Sequence, residues 1–199
     1  MKKVAYHHGD LRSQLVEATR QLVEEKGPSG FSVAEAARQA AVSSAAPYRH
    51  FKDRTAMLHA VAEAGMKRLT ASFDEKSASL PEGSVEVIAT LGCAYVDFAA
   101  QEPGVFRLIF AAHEETPESL EEAASECHGR LLRQVAMRIG APIDSEATRL
   151  AARPLWMLVH GAAFLLIDGK LSAEAFSEEL YTSLRNATRD LLSTTQDPH

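Results

Sequence analysis

Between Ser32 and Asp53 the chain sets up helix starts in quick succession, and few folds accept that spacing. Ser32-Val33-Ala34-Glu35 is a capping box, in which the serine hydroxyl and the glutamate carboxylate satisfy each other's free amides. It predicts a helix from about Val33 to Ala40. The next candidate caps, Ser43 and Ser44, follow after only about three residues, so two short helices must cross steeply, as in a helix-turn-helix. Asp53 is placed to cap a much longer helix carrying Met57, Val61, Ala64 and Leu69. Upstream, Leu11, Leu15, Ala18 and Leu22 recur at helical spacing and stop at Gly27-Pro28, which predicts an amphipathic helix over 10–26.

Pro47 falls inside the third of these short helices. If Ser44 is the cap, the proline occupies the first turn, where its missing N–H has no intrahelical partner to lose. If Ser43 is the cap, one hydrogen bond is lost and the turn loosens. In either register Val42 and Phe51 can pack inward, while Ser44, Ala45 and Tyr48 share an outward face. Tyr48, His50, Lys52 and Arg54 can then reach phosphates, and the small residues let the helix end sink into a groove.

Beyond residue 56 the pattern stays helical. Segments 84–101, 103–112, 117–139, 145–168 and 173–193 are separated by Pro103-Gly104, Thr116-Pro117, Gly140-Ala141-Pro142 and Asp168-Gly169. The fold class that follows is all-α: an N-terminal three-helix helix-turn-helix domain joined by a long helix to a C-terminal helical bundle. The expected division is 8–55 and 56–193.

The formal charge of −6 in 199 residues argues against a polyanion partner until it is divided. Residues 1–57 hold nine Lys and Arg against six Asp and Glu, a net of +3, and the rest carry −9. The basic part is the part with the helix-turn-helix spacing. Only two cysteines occur, Cys93 and Cys127, with no CxxC and no recognisable leader peptide, so a reducing cytoplasm and no disulfide are expected. The apolar run Pro154 to Ile167 is interrupted by His160 and is shorter than the roughly 18–20 residues that span a bilayer. It reads as a buried helix or a subunit interface.

The stretch FSVAEAARQAAVSSAAPYRHFKDRTAML resembles the helix-turn-helix of the TetR (TetR/AcrR) family of bacterial transcriptional regulators, with similarity over residues 8 to about 65. Trp156, His160 and Gly161 in WMLVHG resemble the WHG-type C-terminal domain of a subgroup. One position departs: Ala41 stands where the family has a turn glycine. The resemblance implies phosphate contacts from Ser32, Tyr48 and Arg54, helped by His50 and Lys52. It implies base reading by Ser44, Ala45, Ala46 and Arg49, with Ser43 at the same DNA-facing end. An arginine can read guanine with two hydrogen bonds, whereas an alanine methyl senses only a thymine methyl or excludes bulk. Lys2 and Lys3 are candidates for minor-groove or nonspecific contacts.

The resemblance also implies a small-molecule effector in the C-terminal domain, with Met66, Phe73, Tyr95, Phe98, Phe106, Phe110, Trp156 and His160 as candidate lining. Trp156 and His160 lie one helical turn apart and read equally as a pocket wall or a helix-packing lock. The function expected is a ligand-responsive regulator, most often a repressor in this family, that binds a palindromic operator as a homodimer. Phe176, Leu180, Leu184 and Leu191, at helical spacing, together with Phe164 make the candidate dimer interface. The alternative is an all-helical ligand carrier or enzyme with an incidental basic N-terminus. Against it, the chain offers no nucleophile with a neighbouring base, no phosphate loop and no HExxH. No cofactor is expected, and His113, Cys127 and His128 lack the spacing of metal ligands.

Overall fold

In a computed structural model, residues 8–111 and 116–193 are described, without the side chains of 8–10 and 173–178. The described residues form eight α-helices and no strand. In chain order they are α1 (His8–Lys26), α2 (Val33–Gln39), α3 (Arg54–Ser77), α4 (Val85–Gln101), α5 (Pro103–Ile109), α6 (Glu118–Ile139), α7 (Glu146–Ile167) and α8 (Ala173–Ser193). The all-α expectation holds, and the helices begin and end close to the breaks read from Pro and Gly. Lys2, Lys3 and His113 lie outside the described residues.

Packing divides the chain into two compact units. The first comprises residues up to Gly65 together with Gly104–Glu121, and the second Met66–Pro103 with the chain from Glu122 onward. In the first unit Leu15, Ala18, Leu22, Phe31, Phe51, Met57, Val61 and Phe106 are buried, so the stripe on α1 faces inward as its spacing demands. The short α5 belongs to this unit. It is held there by Glu24 of α1, whose carboxylate accepts the amides of Gly104 and Val105 at 2.9 and 2.8 Å.

α4 is the centre of the second unit and is apolar nearly all round. A Cβ on Gly92 would lie 2.9 Å from Leu184 and 3.0 Å from Val159, so a bare backbone here lets α7 and α8 close onto α4. Val87, Ile88, Val135, Ala151, Ala152, Leu155 and Leu192 complete the core at one end. Bidentate ion pairs fix α3 on its neighbours: Arg68 on Glu102 at 2.8 and 2.5 Å, and Arg130 on Asp74 at 2.7 and 2.9 Å.

The third short helix differs from the sequence expectation. Residues Pro47–Arg49 form a single 3-10 turn, and neither Ser43 nor Ser44 caps it. The reason lies in Pro47. An α-helix would send an N–H from position 47 to the Ser43 carbonyl, and proline has none. That carbonyl accepts the Ala46 amide at 3.0 Å instead, and Pro47 becomes the first residue of a tighter turn whose carbonyl takes the amides of His50 and Phe51, both at 2.9 Å.

Candidate functional site

The helix-turn-helix is assembled from local caps. Ser32 Oγ accepts the Glu35 amide at 3.2 Å and the Glu35 carboxylate accepts the Ser32 amide at 2.9 Å, which completes the capping box. Lys26 adds an ion pair to Glu35 at 2.8 Å and, with the Ser32 bonds, pulls its carboxyl pKa down to about 2. At the other end of α2 the amide of Val42 bonds to the Ala37 carbonyl and that of Ala41 to Arg38, the pattern of a Schellman cap. Ala41 carries the left-handed conformation this requires, with φ 54°. The turn geometry of a glycine is therefore kept by an alanine under strain.

The turn that follows presents its side chains outward. Ser43, Ser44, Ala45, Arg49 and Lys52 are exposed, Tyr48 is 62% exposed, and Ala46 and His50 are half-buried. Pro47 and Phe51 turn inward and anchor the segment. Ser32 is exposed, but its hydroxyl is engaged in the cap. Asp53 Oδ1 accepts the Ala56 amide at 2.8 Å and opens α3 as expected.

Arg54 has a structural role that the sequence reading did not foresee. Its guanidinium lies 4.6 Å from the Phe31 ring centroid, donates Nε–H to the Phe31 carbonyl at 3.2 Å and an Nη–H to the Pro28 carbonyl. Two of its donors face the loop between α1 and α2, so it clamps that loop at the position from which a phosphate contact is expected. Sequence reasoning also passed over Arg12, whose guanidinium sits 5.3 Å over the Phe51 ring. The basic residue at the first exposed turn of an amphipathic helix was the available signal.

The candidate effector residues do not gather in one unit. Met66, Phe73, Tyr95 and Phe98 are buried in the second, whereas Phe106 and Phe110 belong to the first, with ring centroids 4.9 Å apart. Within the second unit a ladder of rings runs along α7: Trp156 to His160 at 5.2 Å and His160 to Phe164 at 4.9 Å, with His128 edge-on to Trp156 at 6.4 Å. The Tyr95 hydroxyl is 2.8 Å from His160 Nδ1, a bond that ties α4 to α7. Burial pushes the Tyr95 pKa up and the His160 pKa down, so the bond joins a protonated hydroxyl to a neutral ring. An open cleft of about 350 Å³ also lies in this unit, lined by Arg68, Lys76, Asp97, Phe98 and Glu102 among others, and of the expected lining only Phe98 reaches it.

Of the expected dimer residues, Leu180 and Leu184 are 6% and 3% exposed and face their own subunit, Leu184 against α4 beside Gly92. The reason is that α4 needs cover, and the α8 stripe supplies it. Leu191 remains exposed, Phe164 is half-buried against His160, and the Phe176 side chain lies outside the described residues. What faces outward is a stripe on α7: Leu150, Met157, Leu158, Gly161 and Leu165, joined by Tyr181 and Leu191 of α8. By length and composition α7 is apolar enough to cross a membrane, but its other face packs on α4 through Val159 and Leu155. Among the described residues no three His, Cys, Asp or Glu side chains gather as metal ligands.

Residues 15–61 match the family model described as bacterial regulatory proteins, tetR family, and residues 88–189 match the tetracyclin repressor-like C-terminal domain. The chain is 29% identical over 171 residues to the HTH-type transcriptional regulator BetI of Ectopseudomonas mendocina, covering 84% of this chain and 86% of that one. It is 27% identical over 186 residues to the HTH-type transcriptional regulator YobS of Bacillus subtilis, covering 93% and 92%. A solved structure from Rhodococcus sp. RHA1, of unknown function, superposes with a TM-score of 0.77 at 32% identity, covering 96% of this chain and 98% of that one. A helix-turn-helix with an outward, basic turn, together with matches to both family models, makes this chain a member of the TetR family and a DNA-binding transcriptional regulator.

Proposed function

We propose that this chain is a ligand-responsive repressor that binds a palindromic operator as a homodimer in the cytoplasm and is released by a small-molecule effector. Residues 8–55 form the DNA-binding part, and residues 56–193 bind the effector and dimerise. Ser43, Ser44, Ala45, Ala46 and Arg49 face base edges, while Ser32, Tyr48, His50 and Lys52 lie along the phosphates. The effector is bound around Tyr95, Trp156 and His160, with Met66, Phe73 and Phe98 behind them.

The observation that carries this reading is the outward stripe of α7. Leu150, Met157, Leu158 and Leu165 are 54%, 61%, 42% and 48% exposed, and Gly161 in their midst has open space around its Cα. A contiguous apolar face with a small residue at its middle is what a second copy would cover by a two-fold axis. Two reading heads then address half-sites about 34–36 Å apart. The effector acts by population shift, preferring the arrangement that does not fit the operator.

Sedimentation of the free protein, followed by selection of bound fragments from genomic DNA with and without candidate ligands, tests the reading. A dimer that recovers symmetric sites and releases them with one ligand class supports it. A monomer, or binding insensitive to every ligand class tried, counts against it.

A further inference from the structure

Most cations of the first unit are engaged by their own chain. Arg20 is bidentate on Glu17 at 2.8 and 2.7 Å, Lys26 pairs with Glu35 at 2.8 Å, and Arg38 lies 3.9 Å from the same carboxylate. Arg54 is taken up by carbonyls, and Arg107 has a partner of its own. Among the described residues of this unit, Arg12, Arg49 and Lys52 are the lysines and arginines with neither an ion pair nor a hydrogen bond from the side chain. Two of them belong to the outward turn. The third comes from α1, far away in sequence, and the fold brings it to the same place by stacking its guanidinium 5.3 Å over Phe51, the residue between His50 and Lys52.

We propose that Arg12 is a DNA-backbone contact, a positioning residue that grips phosphate beside Lys52 and fixes how the Tyr48–Lys52 turn is presented to the groove. The inference rests on that turn being the DNA-reading element. Three physical points carry it. Stacking on a ring uses the face of the guanidinium and leaves its N–H edge open, and that edge matches two phosphate oxygens. Phe51 is only 5% exposed and donates its amide N–H to the Pro47 carbonyl, so Arg12 stacks on an anchored ring that restrains its side chain before DNA arrives. Among the described residues no carboxylate holds Arg12, so no such ion pair has to break when a phosphate binds.

The test is a salt series of binding constants for wild type, R12A, R12Q, R12K, R20A and R49A, on a duplex recovered by the genomic selection and on a scrambled duplex. R12A and R12Q should weaken both duplexes alike, about three- to tenfold, and flatten the slope of log K against log salt by about 0.9 for each protomer engaged. R12K should keep the slope, because the charge remains, yet lose part of the affinity with the stack. R20A, an arginine of the same helix already held by Glu17, should match wild type. Thermal unfolding of each variant identifies any that has not folded, and R12Q, which keeps the length of the side chain, stands in for R12A in that case. A wild-type slope in both R12A and R12Q, with R49A impaired, overturns the role of Arg12 alone. Wild-type binding by R12A, R12Q and R49A together overturns the assignment of the whole turn.

Discussion

Arg54 closes the loop between α1 and α2 onto the start of α3 by stacking 4.6 Å over Phe31 while its Nε–H donates to the carbonyl of that same residue. With the second bond to the Pro28 carbonyl, all of this lies inside the first unit and half-buried. Hydrogen bonds from a charged donor contribute about 1.5–3 kcal/mol and a cation–π contact about 0.5–1 kcal/mol, with part of each replaced by water on truncation. R54A should therefore lower unfolding stability by about 2–3 kcal/mol in denaturant melts. The salt slope of DNA binding should stay at its wild-type value. A flattened slope with unchanged stability would return Arg54 to the phosphate contacts.

Ala41 holds φ at 54°, where a Cβ crowds the following carbonyl at a cost of roughly 1–2 kcal/mol. Glycine removes that cost but loses more backbone freedom on folding, by roughly 0.5–1 kcal/mol. A41G should therefore stabilise the chain by about 0.5–1 kcal/mol, read as a higher denaturation midpoint at unchanged m-value. A41V, with a branched Cβ in the same conformation, should destabilise it.

Gly104 has no room for a side chain. A Cβ there would lie 2.7 Å from the Val23 carbonyl oxygen and 3.1 Å from Glu24 Cα, both backbone. G104A should cost about 1–3 kcal/mol through forced backbone movement. E24A, which strips two amides of their acceptor without a clash, should cost about 1–2 kcal/mol. Hydrogen exchange at the Gly104 and Val105 amides should accelerate in E24A, and unchanged exchange would remove Glu24 from the cap.

These residues also mark what the sequence could disclose. Ser32, Glu35 and Asp53 announce their bonds because donor and acceptor lie within one turn, and the α1 stripe is legible because helical period alone decides which residues share a face. The bonds of Arg54 are not legible because its acceptors are main-chain carbonyls more than twenty positions away, and any residue can supply a carbonyl. The burial of Leu180 and Leu184 within their own chain is hidden for a related reason: spacing shows that they share a face but does not say whether α4 or a second copy covers it. Pro47 was the informative residue of its turn, yet its consequence depended on which carbonyl lost its donor. The Tyr95–His160 bond joins positions 65 apart, and nothing in either neighbourhood points to the other.

The two apolar faces at the C-terminal end should respond oppositely to substitution. L184A removes a buried side chain beside Gly92 and should cost about 2–5 kcal/mol of stability, whatever the oligomeric state. L158D places a charge on the exposed stripe, where the isolated subunit tolerates it. It should leave the helical content intact and shift the protein to a monomer in sedimentation. If L158D stays dimeric and L184A dissociates without unfolding, the interface lies on α8 and not on the α7 stripe.

Acid should weaken the second unit through His160. Burial lowers the pKa of this ring below its value in the unfolded chain, about 6.5, so the unfolded state binds the proton more readily. The associated stability is fully present above pH 6.5 and is lost as pH falls through the folded value. Structurally, the Tyr95 hydroxyl lies 2.8 Å from His160 Nδ1 and keeps its proton because burial raises its own pKa. Protonating the ring makes both of its nitrogens donors, so the contact between α4 and α7 must then run from Nδ1–H to the hydroxyl oxygen and hold a charge in a half-buried site. Unfolding stability measured from pH 7.5 to 5 should fall more steeply for wild type than for H160Q, and the difference between the two isolates this ring from the other titrating groups. Y95F should cost about 1 kcal/mol at pH 7.5 and more at pH 5, where the charged ring becomes the donor and a hydrogen bond from a charged group is stronger. A Y95F penalty equal at both pH values would show that the hydroxyl does not report the protonation of His160.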